Sequence, residues 1–181
     1  GLTKAFQDGV DIHSRTASEV FDVSETDVTF EQRSAAKAIN FGLMYGMGPF
    51  RLSNDLGIEF AEAKRYIARY FERFPAVKTF MDSTIAGGRA KGYVSTILGR
   101  RRYVSELRSK NHNRRSAAER AAINTPVQGS AADLIKLAML KIASSLKEEK
   151  YRTRMILQVH DELVFEVPSD ELESVIPLVK N

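Results

Sequence analysis

From Phe30 to Ala90 the apolar residues recur at helical spacing, and Gly and Pro cut the pattern into helix-length pieces. Thr29-Phe30-Glu31-Gln32 fits a capping box, in which the Thr hydroxyl and the Gln amide cover free backbone N–H groups. A helix is predicted from Phe30 to about Tyr45, ended by Gly46, Gly48 and Pro49. A second runs from Glu59 to Phe74, with Phe60, Ala63, Ile67, Tyr70, Phe71 and Phe74 on one side and Pro75 as its breaker. A third covers Val77 to Ala90, closed by Gly87, Gly88 or Gly92. Tyr93–Thr96 and Arg101–Val104 flank Leu98-Gly99 as a small hairpin, and Ser105–Asn113 reads as a polar loop. Arg114–Asn124 and Gly129–Glu149 read as helices, with Pro126 forcing a bend between them. Arg154–Val159 and Glu162–Val167 are rich in β-formers and meet at a two-residue turn, His160-Asp161, before a last helix from Asp170 to Lys180. The first 130 residues are thus mostly helical, and the last 50 form a helix, a hairpin and a helix.

Composition narrows the class. Of 181 residues 43% are hydrophobic and 28% charged, which is globular and sufficient for a core. No apolar run approaches the roughly 18–20 residues a bilayer requires. The chain has no cysteine, so disulfides and Cys-ligated metals are excluded, and three histidines leave little for a His-rich zinc site. A net charge of +4 is compatible with a polyanionic partner without requiring one. The chain begins with Gly1 and stops at Asn181 directly after a helix, so it reads as a piece of a longer protein.

Three constellations carry chemistry. Arg33, Lys37, Phe41 and Tyr45 are each four apart, which puts two cations and two aromatics in one helical stripe. Such a stripe suits a ligand with an anionic end and a flat end, for instance a nucleoside triphosphate. Gly42 and Gly46, each costing up to about 1 kcal/mol in a helix interior, suggest close approach to the backbone. A plainer arrangement, with the rings in the core and the cations in solvent, is favoured by spacing alone. At the second, His160-Asp161-Glu162, adjacent carboxylates sit at a turn between apolar strands; one can bind Mg²⁺ if another arrives from elsewhere, or the turn is merely charged and exposed. In the third, Arg120, Asn124 and Gln128 make a polar stripe of groove- and phosphate-reading types, with Arg100-Arg101-Arg102 as a cationic patch; each taken singly is usually an exposed helix face or charge run.

Arg33 through Gly46 resembles motif B of the family A DNA polymerases, the bacterial DNA polymerase I type, and Val159-His160-Asp161-Glu162 resembles motif C. Asp11–Ala17, Leu98–Tyr103 and Glu119–Gln128 also resemble stretches of that family, in the same order. The resemblance spans essentially the whole chain. It implies an α+β, predominantly α-helical fold: the fingers and partial palm of a right-hand polymerase. Residues 1–125 would be fingers, with the first residues assignable to the palm, and residues 126–181 partial palm with the motif C hairpin. It implies template-directed DNA synthesis by nucleotidyl transfer from a dNTP to a primer 3′-hydroxyl.

Carried over position by position, His13, Arg33 and Lys37 would bind the dNTP phosphates, and Lys37 could also donate a proton to pyrophosphate. Phe41 would pack on sugar and base, and Tyr45 would sit at the template side. Arg102, Arg120, Asn124, Gln128 and His160 would contact DNA. Asp161 would bind metal, with Glu162 supporting it. The implied cofactor is two Mg²⁺ ions about 3.5–4 Å apart. The implied partners are a DNA primer-template and dNTP, with no membrane, in a cytoplasmic monomer. Phe41 lacks a hydroxyl near the sugar 3′ position, which implies discrimination against dideoxynucleotides.

The match has departures. Ser34 stands where the family often has a second Arg. The family's motif A, which brings the first metal-binding Asp, has no counterpart between Gly1 and Asn181, so the chain alone is expected not to extend a primer. Single-subunit RNA polymerases share the helix logic but usually have His-Asp-Ser at the turn, so Glu162 favours DNA synthesis. A non-catalytic primer-template-binding module of the same shape, and a ligand-free helical domain, are the remaining alternatives.

Overall fold

The computed structural model describes Gln7 and residues 9–180. The placement of the first residues, palm or fingers, therefore lies largely outside the described residues. Helix α1 (Ile12–Phe21) begins at Asp11, whose carboxylate accepts from the His13 N–H and the Ser14 hydroxyl. Helix α2 (Phe30–Met44) starts with the capping box: the Gln32 N–H donates to Thr29 Oγ1 at 3.2 Å and the Thr29 N–H donates to Gln32 Oε1 at 3.0 Å. Helices α3 (Pro49–Leu56), α4 (Phe60–Arg73) and α5 (Pro75–Lys91) follow. Neither α1 nor α3 is predicted from periodicity: each is about two to three turns long, too short for the pattern to stand out.

Four further expectations change. Pro75 ends α4 but is also the first residue of α5, where its missing N–H costs nothing. Gly87 and Gly88 lie inside α5, which closes at Gly92 with φ +81. A Cβ on Gly88 would stand 2.9 Å from Val94 Cγ1 and 3.0 Å from Leu107 Cδ1, so this glycine lets the helix touch the hairpin beyond it. The segment expected as a polar loop contains a tight turn, Ser105–Arg108, whose Leu107 is fully buried. The strands β1 (Tyr93–Ser95) and β2 (Arg101–Tyr103) pair antiparallel, Tyr93 opposite Tyr103.

The fourth concerns Pro126. Helices α6 (His112–Asn124) and α7 (Ser130–Glu148) are joined by Thr125–Gly129 in a single wide helical turn, so the residues between the two expected helices are themselves helical. A wider turn has room for the proline ring, and flanking hydroxyls take up the carbonyls: Thr125 Oγ1 donates to Ala121 O at 2.7 Å, and Ser130 Oγ donates to Pro126 O. The hairpin of β3 (Arg154–Val159) and β4 (Glu162–Glu166) turns at His160-Asp161, with Val159 opposite Glu162 and His160 at φ +54. A short turn, Ser169–Glu171, precedes α8 (Leu172–Lys180).

Three apolar cores hold these elements. The first joins α1 to α4 and the start of α5 through Val20, Ile39, Leu43, Leu52, Tyr70 and Phe74. The second packs Val94, Val104 and Leu107 against Ala118 and Ala122 of α6. The third sets Ile142 and Leu146 of α7 and Val175 of α8 beneath the β3–β4 hairpin. Each large side chain buried in this way contributes about 1.5–3 kcal/mol.

Candidate functional site

The inner side of α2 is taken by Ala36, Ile39 and Leu43, all buried. The stripe of Arg33, Lys37, Phe41 and Tyr45 therefore faces outward. Phe41 is 43% and Tyr45 36% exposed, which overturns the plainer arrangement with both rings in the core. Two open aromatics thus stand beside two cations on one face, a combination chemically suited to a flat, anionic group.

Helix α1 completes this surface. Its His13 ring lies 5.5 Å from the Phe41 ring, tilted by 52°. Arg33 Nε donates to Asp11 Oδ2 at 2.6 Å, so the N-cap of α1 is tied to the first turn of α2. That guanidinium holds the Asp11 carboxyl well below the usual carboxylate range. Partial burial pushes His13 below its ordinary value; Asp11 opposes the shift, while Arg33 and Lys37 add to it. Lys37 is exposed and has no ion-pair partner among the described residues.

Beyond Phe41 the stripe opens into a cleft of about 600 Å³ lined by Phe41, Tyr45, Gly46, Arg51 and Arg120. At Gly42 and Gly46 the chain itself comes close to the backbone. A Cβ on Gly42 would fall 2.7 Å from Met47 Sδ, and one on Gly46 3.0 Å from Arg120 Cγ. Gly46 also has φ +77, a conformation that glycine adopts without strain. The end of α2 and the middle of α6 thus meet through Arg120, whose Nη1 donates to Ser116 Oγ at 2.9 Å.

Next to it lies a second cleft of about 420 Å³, lined by Arg100, Arg101, Arg102, Asn124, Thr125, Gln128 and Gly129. The three arginines divide in role. Arg100 is occupied within the fold: Nε donates to Asp133 Oδ1 at 2.6 Å and Nη2 to Gly129 O at 3.1 Å. Arg101 stacks over Tyr93, 4.5 Å from the ring centre. Arg102 stays exposed at the cleft. Asn124 Oδ1 is buried with no hydrogen-bond partner, and Gln128 is exposed.

His160, Asp161 and Glu162 are exposed at the tip of their hairpin, which Gln158 Nε2 braces by donating to His160 O at 3.0 Å. The core beneath comes from α7 and α8 and includes no residue of α1 or α2. Among the described residues no cluster of three His, Asp or Glu side chains converges as a metal site. The fold therefore brings His13, Arg33, Lys37 and Phe41 together, links Tyr45 to Arg120, and joins Arg102 to Asn124 and Gln128. Asp161 lines neither of the two clefts described above. Sequence reasoning missed Asp11, Asn40 and Asp133, which support the site from behind. A polar Asn40 between Ile39 and Phe41 was the visible signal for one of them.

No helix among the described residues is long and apolar enough to cross a membrane. The chain is 50% identical over 178 residues to DNA polymerase I of Geobacillus stearothermophilus and 54% identical over 180 residues to DNA polymerase I of Rhizobium leguminosarum. These matches cover 98% of this chain but 20% and 18% of those proteins, so it spans about a fifth of their length. The structure superposes with TM-score 0.89 and 46% identity on the POL domain of Pol1 from M. smegmatis, solved in complex with DNA primer-template and dNTP, covering 99% of this chain and 32% of that one. The profile of DNA polymerase family A matches residues 1–181, and the chain belongs to that family.

Proposed function

We propose that this chain forms the fingers (residues 1–125) and part of the palm (residues 126–181) of an enzyme that extends a DNA primer on a template, acting as a monomer in the cytoplasm. The observation that supports this most directly is the open face of α2. Arg33, Lys37, Phe41 and Tyr45 point away from the core, with His13 beside them. Charged donors along that face bind the triphosphate of an incoming dNTP, and Phe41 packs on its sugar and base. Lys37, an exposed ammonium, holds the phosphates and gives a proton to the departing pyrophosphate. Tyr45 and Arg120 border the cleft on the template side. Arg102, Asn124 and Gln128 line the neighbouring cleft, where a guanidinium and two amides hold the duplex by its phosphates and minor-groove edges. His160 stands at the primer end.

The carboxylates of Asp161 and Glu162 suit a hard divalent cation: both are exposed, and neither has a cationic partner among the described residues. Asp161 would hold Mg²⁺ with a further carboxylate from outside residues 1–181. A bound pair of Mg²⁺ ions supplies activation of the primer 3′-hydroxyl and charge neutralisation at the leaving group.

The test uses the full-length enzyme. Lys37→Ala is expected to lower kcat/KM for dNTP by about 10²–10³-fold, the usual loss on removing one charge-stabilising group. Arg120→Ala is expected to weaken primer-template binding by about tenfold while leaving dNTP discrimination intact. Unchanged kinetics and binding in both variants would reject the proposal, and efficient use of rNTPs would redirect it to RNA synthesis.

A further inference from the structure

Asn40 is 4% exposed on the inner side of α2, where an apolar residue would pack more cheaply. Its Oδ1 accepts from the Thr16 hydroxyl of α1 at 3.1 Å. Its Nδ2 lies 3.0 Å from Thr16 Oγ1, 3.1 Å from Nδ1 of His13 and 3.5 Å from the carbonyl oxygen of Ile12. A backbone carbonyl can only accept, so the amide nitrogen is the atom turned toward Ile12 and therefore toward His13. An imidazole Nδ1 that accepts from this amide N–H offers its lone pair, and the ring proton of the neutral form then sits at Nε2.

We infer that Asn40 is a positioning residue that locks His13 in its neutral Nε2–H form, with the Nδ1 side anchored to the fold and the Nε2–H side left as the donor for a triphosphate. The inference rests on the nucleotide reading of the α2 face. The groups facing His13 are consistent with it: Asp11 from its own N-terminal flank, Arg33 and Lys37 from α2, and the Phe41 ring. Two cations already supply net charge there, so a neutral donor adds a directed hydrogen bond without crowding a third positive charge against them. The Asn40–Thr16 bond sets the distance between α1 and α2, which fixes where the imidazole stands relative to the two cations.

The experiment has two arms. In the ¹⁵N-labelled chain, long-range imidazole spectra read the tautomer and titration of His13. The expected result is an unprotonated Nδ1 in the neutral form and a midpoint below 6.5. Asn40→Asp, nearly isosteric, replaces the donor by an acceptor and should raise that midpoint by about one pH unit or more. Asn40→Leu should mix the tautomers. A dominant Nδ1–H form in the native chain, or an unmoved midpoint in the Asp variant, overturns the inference. In the full-length enzyme, Asn40→Leu should raise the dNTP KM about tenfold with kcat nearly unchanged, the loss of one directed hydrogen bond. If His13→Ala leaves that KM untouched, the nucleotide reading of His13 fails, while the tautomer measurement still decides the role of Asn40.

Discussion

At Gly46 two demands meet on one residue. The backbone ends α2 at φ +77, and the Arg120 side chain lies against the bare Cα, where a Cβ would approach its Cγ to 3.0 Å. Gly46→Ala therefore strains the backbone, at a cost of about 1–2 kcal/mol, and displaces Arg120 from the cleft. Thermal unfolding should show lower stability, and primer-template titration of the full-length enzyme should show weaker binding. A variant as stable and as tight-binding as the native protein would mean that Arg120 does not depend on this contact. Asn40 and Asp133 act in the same indirect way. One contacts His13 and the other holds Arg100 beside the wide turn.

Among the elements, α5 offers a paired test. Gly87 and Gly88 are neighbours in the same helix, but a Cβ at Gly87 meets nothing within 4 Å while one at Gly88 runs into Val94 and Leu107. Gly87→Ala should raise stability by about 0.5–1 kcal/mol, the helix propensity difference. Gly88→Ala should lower it by about 1–3 kcal/mol through overpacking against the hairpin. Denaturant midpoints of the two variants should move in opposite directions.

The clasp under β3 makes a second test. Glu171 accepts from the backbone N–H groups of Arg152 and Thr153, the Thr153 hydroxyl and Arg152 Nε. Burial pushes its carboxyl up, but these donors outweigh it and bring it down to about 2 from an ordinary 4.5. Folding thus favours the ionised form. The contribution is complete above the unfolded value near pH 4.5 and disappears as the pH falls toward 2. In Glu171→Gln the loss of stability between those limits should be shallower, as acid titration of the circular dichroism signal would show.

For the molecule as a whole, the cationic clefts and the exposed carboxylates belong to separate cores. Among the described residues Asp161 and Glu162 have no third acidic or histidine partner. The 181-residue chain purified alone should therefore show no template-dependent dNTP incorporation; measurable extension would refute this. What periodicity and local chemistry predict is present: the α2 capping box, the Arg33–Tyr45 stripe, the two hairpins and the His160-Asp161 turn. These depend on neighbours within about four residues, so their physics is carried by the sequence nearby. The short helices α1 and α3 escape that reading because too few turns define their period. The wide turn at Pro126 escapes it because the flanking hydroxyls, not the proline alone, decide between a bend and a continued helix. Which side of α2 faces outward depended on Ile39 and Leu43 outcompeting Phe41 and Tyr45 for a core shared with α1, α3 and α4. The Asn40–His13 bond and the seating of Arg120 on Gly46 join residues 27 and 74 positions apart. Helical propensity and the chemical types at the site were determined by the sequence itself, being local; the open face and the shape of the clefts were decided by tertiary packing, because only there do distant segments compete for the same buried volume.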